Sequence, residues 1–328
     1  MSKVFLLDST LRDGGYCNNW NFGTKIINQI TTNLNNAGVD YIESGILSQQ
    51  YTSKSGCTLY NSLFDFQEIQ LFSTSTPVLL MDYHKNNLLN LLCHNKVSMT
   101  PVIRLAFYKD DVNEALDYVH NLVEFGYSVF VHPMAIHCYS LHDFRQLTEQ
   151  VNMIKPSALY LVDSFGALMP DELLKYVLIV EEGLDINVKI GIHLHNNMQQ
   201  AFYYATEILH HVNEHDLIID CSLRGLGRGG GNIPTEVISS HLCNLGLINL
   251  NYNSLLLALN SITNFPFNSY TVPYYLTAIH RCHPKYADYL IEHHCEDYDY
   301  FNKVLDEIEK TGIMRFDYKL IDDILSHM

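Results

Sequence analysis

The sequence lacks paired cysteines and long apolar runs. Its eight cysteines include no C-x-x-C pair, which argues against a zinc ribbon, a redox motif or a disulfide framework. No run of consecutive apolar residues is longer than five, so we expect neither a membrane span nor a signal peptide. These absences predict free thiols and a reducing compartment, which is the cytoplasm in the simplest interpretation.

Positive charge is scarce as well. Twenty Lys and Arg against 36 Asp and Glu give a net charge of −16 at pH 7. This excess of negative charge repels nucleic-acid phosphates and anionic membranes and attracts cations. We therefore expect no nucleic-acid and no membrane partner. The 328 residues are 47% hydrophobic and only 17% charged, which excludes disordered and low-complexity classes.

Short β-rich apolar runs alternate with longer stretches that have helical spacing of apolar residues. The eight predicted strands are Val4–Leu7, Tyr41–Glu43, Val78–Met81, Val102–Ala106, Ser128–His132, Ala158–Val162, Val188–His195 and Leu217–Cys221. Predicted helices such as Lys25–Asn36 and Val112–Glu124 are followed closely by glycine, which is a helix C-terminal signal. Eight β/α units predict a (β/α)8 TIM barrel in residues 1–262.

The pattern changes near the C-terminus. Residues 264–268 (NFPFN) have the composition of a linker, and helical patterns follow it. These patterns lie around Tyr274–Cys282, Tyr286–His293, Tyr300–Lys310 and Tyr318–His327. We therefore predict a small helical appendage in residues 263–328.

A candidate metal site emerges from the strand ends. His193 and His195 are two residues apart on a predicted strand, so their side chains project from the same face and can share one cation. Asp13 follows the first strand, and all strands of a barrel point their carboxyl ends into one mouth. Two imidazoles and a carboxylate leave open positions for a substrate and suit a divalent metal ion. The alternative is a pair of histidines packed under the barrel rim.

Arg12 precedes the candidate ligand Asp13 in a loop crowded with charge. The two residues form an internal ion pair in one interpretation. Beside a bound cation, however, Asp13 would be drawn to the metal, and Arg12 would be left to stabilise an enolate or carboxylate oxygen.

The glycine-rich loop 225–231 contains a formal G-x-G-x-x-G pattern. A dinucleotide-binding loop follows the first strand of its fold, whereas this loop follows the last, so we discount a nicotinamide cofactor. We expect the backbone amides around Gly229 and Gly230 to face the barrel mouth and hold an anionic group, with Asn232 positioned beside them. A tight turn that needs positive φ angles is the alternative.

Other candidates follow from their places in the pattern. Glu43 ends the second strand and could orient Arg12 or a ligand, and Arg104 could hold a substrate carboxylate or form a salt bridge within the barrel. Ser164 follows the sixth strand and offers a hydroxyl donor. His132 and His137 lie at and after the fifth strand and could supply a base, although surface histidines are common there.

Taken together, these motifs resemble the metal-dependent lyase and aldolase superfamily of 3-hydroxy-3-methylglutaryl-CoA (HMG-CoA) lyase, the isopropylmalate and citramalate synthases and 4-hydroxy-2-oxovalerate aldolase. The resemblance rests on DSTLRDG at residues 8–14, GIHLHNN at 191–197 and GRGGGN at 227–232. The segment VDSFGA at 162–167 is similar to the hydroxy-oxovalerate aldolases in particular.

The resemblance implies a site and a chemistry. Asp13, His193 and His195 would hold a divalent cation, for which Mn, Mg and Zn are all candidates. Asn232 would reach this cation as in the lyase branch, and Arg12 would stabilise an enolate. The implied reaction makes or breaks a carbon–carbon bond through the enolate of a pyruvate-like 2-oxo acid, with an aldehyde as the second small molecule. A Claisen-condensing acyl-CoA synthase on the same metal site and a non-catalytic metabolite-binding barrel are the alternatives.

One departure from the family concerns the base. The hydroxy-oxovalerate aldolases carry a histidine three residues after the metal-binding aspartate, where this chain has Tyr16. The synthases carry a glutamate two residues after it, where this chain has Gly15. Tyr16 is therefore the candidate catalytic group at this position, and we expect a different substrate from those of the named branches.

The helical tail of the bacterial aldolases docks an aldehyde dehydrogenase. No sequence feature here supports such a partner. Closure over the barrel mouth and a homodimer fit the tail equally well.

Overall fold

The computed structural model describes residues 2–67, 73–83, 100–265, 270–293 and 297–328. Eight parallel strands form a closed barrel, in which β1 pairs with both β2 and β9. A short ninth strand, β3, pairs with the upper end of β2. The strands are β1 (Val4–Asp8), β2 (Tyr41–Leu47), β3 (Leu59–Tyr60), β4 (Thr76–Asp82), β5 (Val102–Phe107), β6 (Val129–Pro133), β7 (Ala158–Asp163), β8 (Lys189–Leu194) and β9 (Leu217–Cys221). The predicted TIM barrel is confirmed.

Helices cover the outside of the barrel and build the C-terminal region. Those of the barrel region are α1 (Thr24–Ala37), α2 (Leu63–Gln67), α3 (Val112–Glu124), α4 (Leu141–Ile154), α5 (Pro170–Gly183), α6 (Ala201–Ile208), α7 (Thr235–Asn244) and α8 (Tyr252–Ser261). The C-terminal ones are α9 (Val272–Ile279), α10 (Lys285–Glu292), α11 (Tyr298–Thr311) and α12 (Tyr318–His327). The predicted C-terminal helices are thus confirmed, with different ends.

Local sequence signals account for the helix boundaries. In α1, Ile27, Ile30 and Leu34 share one face and are buried, because residues three and four apart lie on the same side of a helix. Gly38 ends this helix in the left-handed conformation, with φ of 91°. Ser140 begins α4 with a capping box to Asp143.

The second barrel strand is longer than predicted. Its apolar pattern is interrupted after Glu43, but the strand continues to Leu47 through a register shift at Gly45. Gly45 has φ of 148°, and a Cβ there would lie 2.1 Å from the Thr58 carbonyl oxygen. Glycine is required because the chain leading into β3 packs directly against this bulge.

The described residues form two main hydrophobic clusters. One fills and surrounds the barrel, with residues from Leu6 to Ile262. The other lies among α9 to α12 and includes Tyr286, Phe301 and Ile308. The proposed division between residues 262 and 263 stays a prediction, and residues 266–268 of the predicted linker lie outside the described part of the chain.

Two of the sequence-based expectations concern cysteines and membranes. The six cysteines that the structure describes are free, and Cys93 and Cys295 lie outside the described residues. Among the helices of the described residues, none has both the length and the apolar character needed to cross a bilayer.

Candidate metal centre and active site

Three potential metal ligands meet at the carboxyl end of the barrel. Asp13 begins the short 3-10 turn after β1, His193 lies in β8 and His195 directly follows it. One ligand atom from each residue lies within 4.8 Å of the other two, and all three side chains are buried. The sequence prediction that these residues come together is therefore fulfilled in geometry.

His193 is held in place by a carboxylate that sequence reasoning missed. Its Nδ1 lies 2.9 Å from Oδ2 of Asp220 in β9, which leaves Nε2 to face the other two ligands. Asp220 also receives two hydrogen bonds from Arg104, at 2.7 and 3.1 Å. A carboxylate that bonds the far nitrogen of a ligand histidine fixes its orientation and raises its basicity. The available signal was the single acidic residue in the apolar strand Leu217–Cys221.

The electrostatics keep Asp13 and His195 in metal-binding protonation states. Burial alone would raise the pKa of Asp13, but the charge of the adjacent Arg12 outweighs it and holds that pKa well below its usual range. Burial lowers the pKa of His195 to about 3. The carboxylate is therefore ionised and this imidazole neutral at neutral pH, as metal coordination requires.

The donor set fits a divalent cation. Nε2 of His193 and Oδ1 of Asn232 are buried and have no hydrogen-bond partner among the described residues. The amide nitrogen of Asn232 donates to Oδ2 of Asp13 at 2.7 Å, so its unpartnered oxygen belongs to the same cluster. Buried acceptors without a donor are costly, and a cation would satisfy them. A Cβ at Gly227 would lie 2.7 Å from Asp13 Oδ2 and 2.6 Å from Asn232 Nδ2, so glycine there leaves room for the pair.

Arg12 connects the metal ligands to the barrel interior. Its Nε donates to Glu43 at 2.7 Å, one terminal nitrogen bonds Asp13, and its backbone carbonyl accepts from Nε1 of Trp20 at 2.7 Å. The other terminal nitrogen, Nη2, is buried without a hydrogen-bond partner in the described residues. Arg12 is therefore rigidly held and has one donor left for a ligand.

A cavity of about 150 Å³ opens beside these residues. Six of the predicted site residues line it, namely Arg12, Asp13, Tyr16, Ser164, His193 and His195. The other lining residues are Trp20, Ile46, Ser48, Tyr51, Leu80, Asp82, Ala106, His132, Met134, Val162 and Arg228. The volume suits a small molecule such as a three-carbon acid.

The structure does not bring Arg104 and Glu43 to the cavity. Arg104 is fully buried below it, paired with Asp220 and with Glu43 at 3.3 Å, and its guanidinium lies 4.4 Å from the ring centre of Tyr160. The guanidinium that was expected to hold a substrate carboxylate is thus already paired with these two carboxylates and packed against this ring. Arg104 and Glu43 therefore support the barrel interior and Arg12 rather than contact a ligand.

Gly229 and Gly230 also differ from the expectation. The Gly230 amide donates to Oδ1 of Asn197 at 2.8 Å instead of facing the cavity. A Cβ on Gly229 would lie 2.8 Å from Asn197 Oδ1, and one on Gly230 would lie 2.8 Å from Asn197 Cα. These glycines are needed for close packing against the loop after β8, and the Gly230 amide is not free to bind an anion.

The candidate bases differ in their surroundings. Tyr16 is 44% exposed and packs edge-on against Trp20 at the cavity wall. His132 is buried beside His193, with a ring-centre separation of 5.4 Å, and burial lowers its pKa well below the usual range. His137 packs on Phe165 outside the cavity. Tyr16 and His132 thus reach the site, and His137 does not.

Several residues of the cavity wall were missed from the sequence. Trp20 and Tyr51 lie in connections without a recognisable pattern. Asp82 directly follows the predicted third strand, Val78–Met81, and Arg228 lies inside the glycine-rich loop, so both had a positional signal. For finding residues that line the cavity, a position directly after a strand was therefore more informative than membership of a sequence motif.

Comparison with known proteins agrees with this geometry. The family model HMGL-like matches residues 3–264. A 4-hydroxy-2-oxovalerate aldolase of Geobacillus genomosp. 3 is 27% identical over 250 residues, which cover 74% of this chain and 72% of the relative. The corresponding protein of Geobacillus thermodenitrificans is 25% identical over 253 residues, or 74% of this chain and 70% of that one.

Solved structures show the same fold. The N-terminal domain of a Bacteroides vulgatus protein assigned as an aldolase aligns with a TM-score of 0.76 and 21% identity, over 90% of this chain and 98% of that one. The HMG-CoA lyase of Bacillus subtilis aligns with a TM-score of 0.65 and 18% identity, over 82% and 96%. Since the family model spans most of its length, this chain belongs to the HMGL-like family of aldolases and lyases.

Proposed function

We propose that the protein is a divalent-metal-dependent aldolase that makes or breaks a carbon–carbon bond next to the enolate of a pyruvate-like 2-oxo acid. The observation that carries this proposal is the buried Asp13, His193 and His195 cluster, which opens onto a small cavity beside the unpartnered Nη2 of Arg12. The aldolase names of the relatives support the same reaction class.

The reaction needs no oxidant. In the synthetic direction, C3 of the 2-oxo acid loses a proton and its carbanion attacks the aldehyde carbon, so one carbon–carbon bond forms. The aldehyde oxygen takes up a proton and becomes the hydroxyl at C4. Cleavage reverses each step. A divalent cation held by Asp13, His193 and His195 supplies Lewis-acid stabilisation of the charge that develops on the 2-oxo group.

Arg12 has the role of an electrostatic donor. Glu43 and Asp13 hold its guanidinium on two sides, and the buried Nη2 remains for an oxygen that gains negative charge. A donor fixed before the reaction costs no reorganisation when the charge appears, which is the basis of its catalytic effect.

Tyr16 is the proposed proton-transferring group because it lines the cavity at the position of the family histidine. His132 is the alternative: its buried, neutral imidazole faces the same cavity, and its Nδ1 has no hydrogen-bond partner among the described residues. Replacing each residue separately, Tyr16→Phe and His132→Gln, distinguishes them, because only loss of the true base lowers proton exchange by about 100-fold or more.

The deciding experiment is deuterium exchange at C3 of pyruvate, followed by proton NMR. Protein loaded with Mn, Mg or Zn is incubated with pyruvate in D2O, and the metal is removed with a chelator before spectra are recorded. We expect metal-dependent exchange, and little in chelator-treated protein. Arg12→Lys is expected to bind metal but lose exchange, because an ammonium cannot reproduce the fork of guanidinium donors.

The opposite result has a defined meaning. Exchange that occurs only with acetyl-CoA present would favour the acyl-CoA synthase alternative. No exchange with any bound metal would remove the aldolase proposal and leave a barrel that binds a metabolite without turnover.

A further inference from the structure

Arg228 is an arginine of the active-site cavity whose charge is not neutralised by contact. Four other arginines each have a carboxylate at ion-pair distance: Arg12, Arg104, Arg281 and Arg315. Among the described residues, no carboxylate oxygen lies within 4.0 Å of the Arg228 guanidinium. A half-buried guanidinium without an acidic partner favours the binding of an anion.

The contacts of Arg228 fix its position without neutralising it. One terminal nitrogen donates to the Ser164 carbonyl at 2.8 Å, and the other lies 3.3 Å from Nε2 of His283 at the start of the C-terminal helices. The guanidinium also lies 5.8 Å from the ring centre of Tyr16. These contacts are a carbonyl oxygen, an imidazole and an aromatic ring, so they orient the cation. The carboxylates of Asp13 and Asp288 interact with its charge but do not form an ion pair with it.

Arg228 faces the cavity but is not part of the metal cluster. It acts on Asp13 and His195 through its charge, lowering the pKa of both, while its hydrogen bonds go elsewhere. Asp82, the other acidic residue of the cavity wall besides Asp13, lies beyond ion-pair distance from it. Arg228 and Arg12 share no hydrogen-bond partner in the described part of the chain, so a ligand in this cavity can contact the two guanidinium groups through separate oxygens.

The glycines around Arg228 strengthen this assignment. Gly229 and Gly230 are packed on Asn197, and the Gly230 amide is already used. The Gly230 amide is therefore not available to an anion, whereas the Arg228 side chain is.

We infer that Arg228 selects an aldehyde substrate that carries its own carboxylate. The inference rests on the proposed aldolase function and names the class of its second substrate: an oxo acid whose carbonyl is an aldehyde. Condensation with pyruvate forms one carbon–carbon bond, moves the C3 proton to solvent and protonates the former aldehyde oxygen. The product is a 4-hydroxy-2-oxo acid with a second carboxylate, and cleavage consumes the same compound.

The test compares two four-carbon aldehydes, succinic semialdehyde and butanal, as acceptors for pyruvate. The measured quantity is the ratio of their kcat/KM values. We expect wild-type protein to prefer succinic semialdehyde by about 10- to 100-fold, the range of one charge-assisted hydrogen bond. Arg228→Met should bring the ratio near one, and Arg228→Lys should keep part of it because the charge remains.

His283→Ala is the matched control. It removes the contact between Arg228 and the C-terminal helices but keeps the guanidinium. If Arg228 served only to attach those helices, His283→Ala and Arg228→Met would lower kcat/KM for both aldehydes by the same factor. The ratio of the two values would then stay unchanged. The ratio thus separates recognition from structural support.

A binding measurement needs neither metal nor turnover. Trp20 is the single tryptophan of the chain and lines the same cavity, so its fluorescence reports ligand binding there. In chelator-treated protein we expect succinate to change this fluorescence saturably in wild type and in His283→Ala. Its dissociation constant should rise at least 10-fold in Arg228→Met.

The outcomes separate this inference from the proposed function. If pyruvate exchange occurs but wild type does not prefer succinic semialdehyde, or if Arg228→Met keeps that preference, the inference is overturned and the proposed function stands. An Arg228→Met variant that loses pyruvate exchange but keeps the aldehyde ratio also overturns it, because the arginine then holds pyruvate. Absence of pyruvate exchange in metal-loaded protein removes the proposed function and the inference with it.

Discussion

The metal site depends on three residues far apart in the sequence, and each supplies a ligand that its neighbours cannot replace. Removing one imidazole leaves too few donors for tight binding. We therefore expect His193→Ala and His195→Ala to lose stoichiometric divalent metal while retaining the barrel. Metal content after gel filtration, with circular dichroism as the folding check, measures this.

His132→Gln is the control for this prediction. His132 lines the same cavity but lies outside the cluster of candidate ligands, so its loss should leave metal content unchanged. Full metal content in both histidine-to-alanine variants would refute the assigned site.

Asp220 is the residue on which both the ligand His193 and the buried Arg104 depend. Asp220→Asn removes a negative charge from a dry site and leaves the Arg104 guanidinium with only Glu43. We expect metal affinity to fall about 10- to 100-fold, as for other partners of ligand histidines. The free energy of unfolding should fall by about 3 kcal/mol, since one partner of a buried ion pair is lost.

The same substitution at Asp216 is a matched control. Asp216 precedes β9 at the opposite end of the barrel, is half-buried, and accepts a hydrogen bond from the Lys3 amide at 2.9 Å. Asp216→Asn should leave metal affinity unchanged. Titration with a fluorescent zinc competitor compares the two variants, and equal affinities would contradict the role of Asp220.

At the level of strands and helices, the apolar patterns predicted most of the barrel. Burial on both faces makes a parallel strand a short apolar run, and such runs are visible in the sequence. The continuation of β2 past Glu43 was not predicted, because Ser44 and Gly45 interrupt the run. Its cause is tertiary: Gly45 forms a bulge against the segment that leads to β3.

The candidate site was predictable to the extent that motifs lie at strand ends. Asp13, His193 and His195 were found because each follows or ends a strand. The partners of Asp220 and Arg104 were harder to predict. A charged residue in a buried strand needs a partner of opposite charge, but the sequence does not show which residue that is. The lack of an ion-pair partner for Arg228 among the described residues depends on three separate loops and leaves no pattern in any of them.

The loop between β7 and α5 predicts a pH-dependent stability. Asp163 is buried and accepts hydrogen bonds from the amides of Ala167 and Leu168, at 3.0 and 3.1 Å. Burial raises the pKa of Asp163 to about 6, so the folded state binds this proton more tightly than the unfolded chain does. The stabilisation by the protonated group is complete below about pH 4 and is lost as the pH rises through 6.

The measurement is the difference in free energy of unfolding between wild type and Asp163→Asn. We expect this difference to decrease by roughly 3 kcal/mol from pH 4 to pH 7, the equivalent of a two-unit pKa shift. Burial raises the pKa of Asp8 to about 6 as well, but Asp8 is present in both proteins and cancels. A difference that is constant over this range would show that Asp163 titrates normally.

For the whole molecule, the barrel and the C-terminal helices have separate hydrophobic clusters joined by polar contacts. Arg281 bonds Glu172 at 2.7 and 2.8 Å, and Arg228 contacts His283. A small apolar group that includes Phe165, Ala278 and Met314 lies between them. Such an interface is weaker than a core, so the two parts can open with different free energies.

Metal binding at Asp13, His193 and His195 distinguishes the two parts, since these ligands belong to the barrel. A second group that could hold a metal, His280, Asp306 and Glu309, lies in the C-terminal helices, so the His193→Ala variant is needed to separate the two sites. A ligand that binds only the folded barrel stabilises it by about 2.7 kcal/mol at 100 times its dissociation constant. We expect added metal to slow hydrogen exchange of core amides in β8 and β9 and to leave those of α11 unchanged. Hydrogen exchange with mass spectrometry measures both regions in one sample. In His193→Ala, we expect added metal not to slow exchange in β8 or β9. Equal slowing in α11 that His193→Ala abolishes would mean that the chain unfolds as one unit, and the predicted division at residue 262 would then have no thermodynamic meaning. Slowing in α11 that persists in His193→Ala would instead come from metal bound at His280, Asp306 and Glu309.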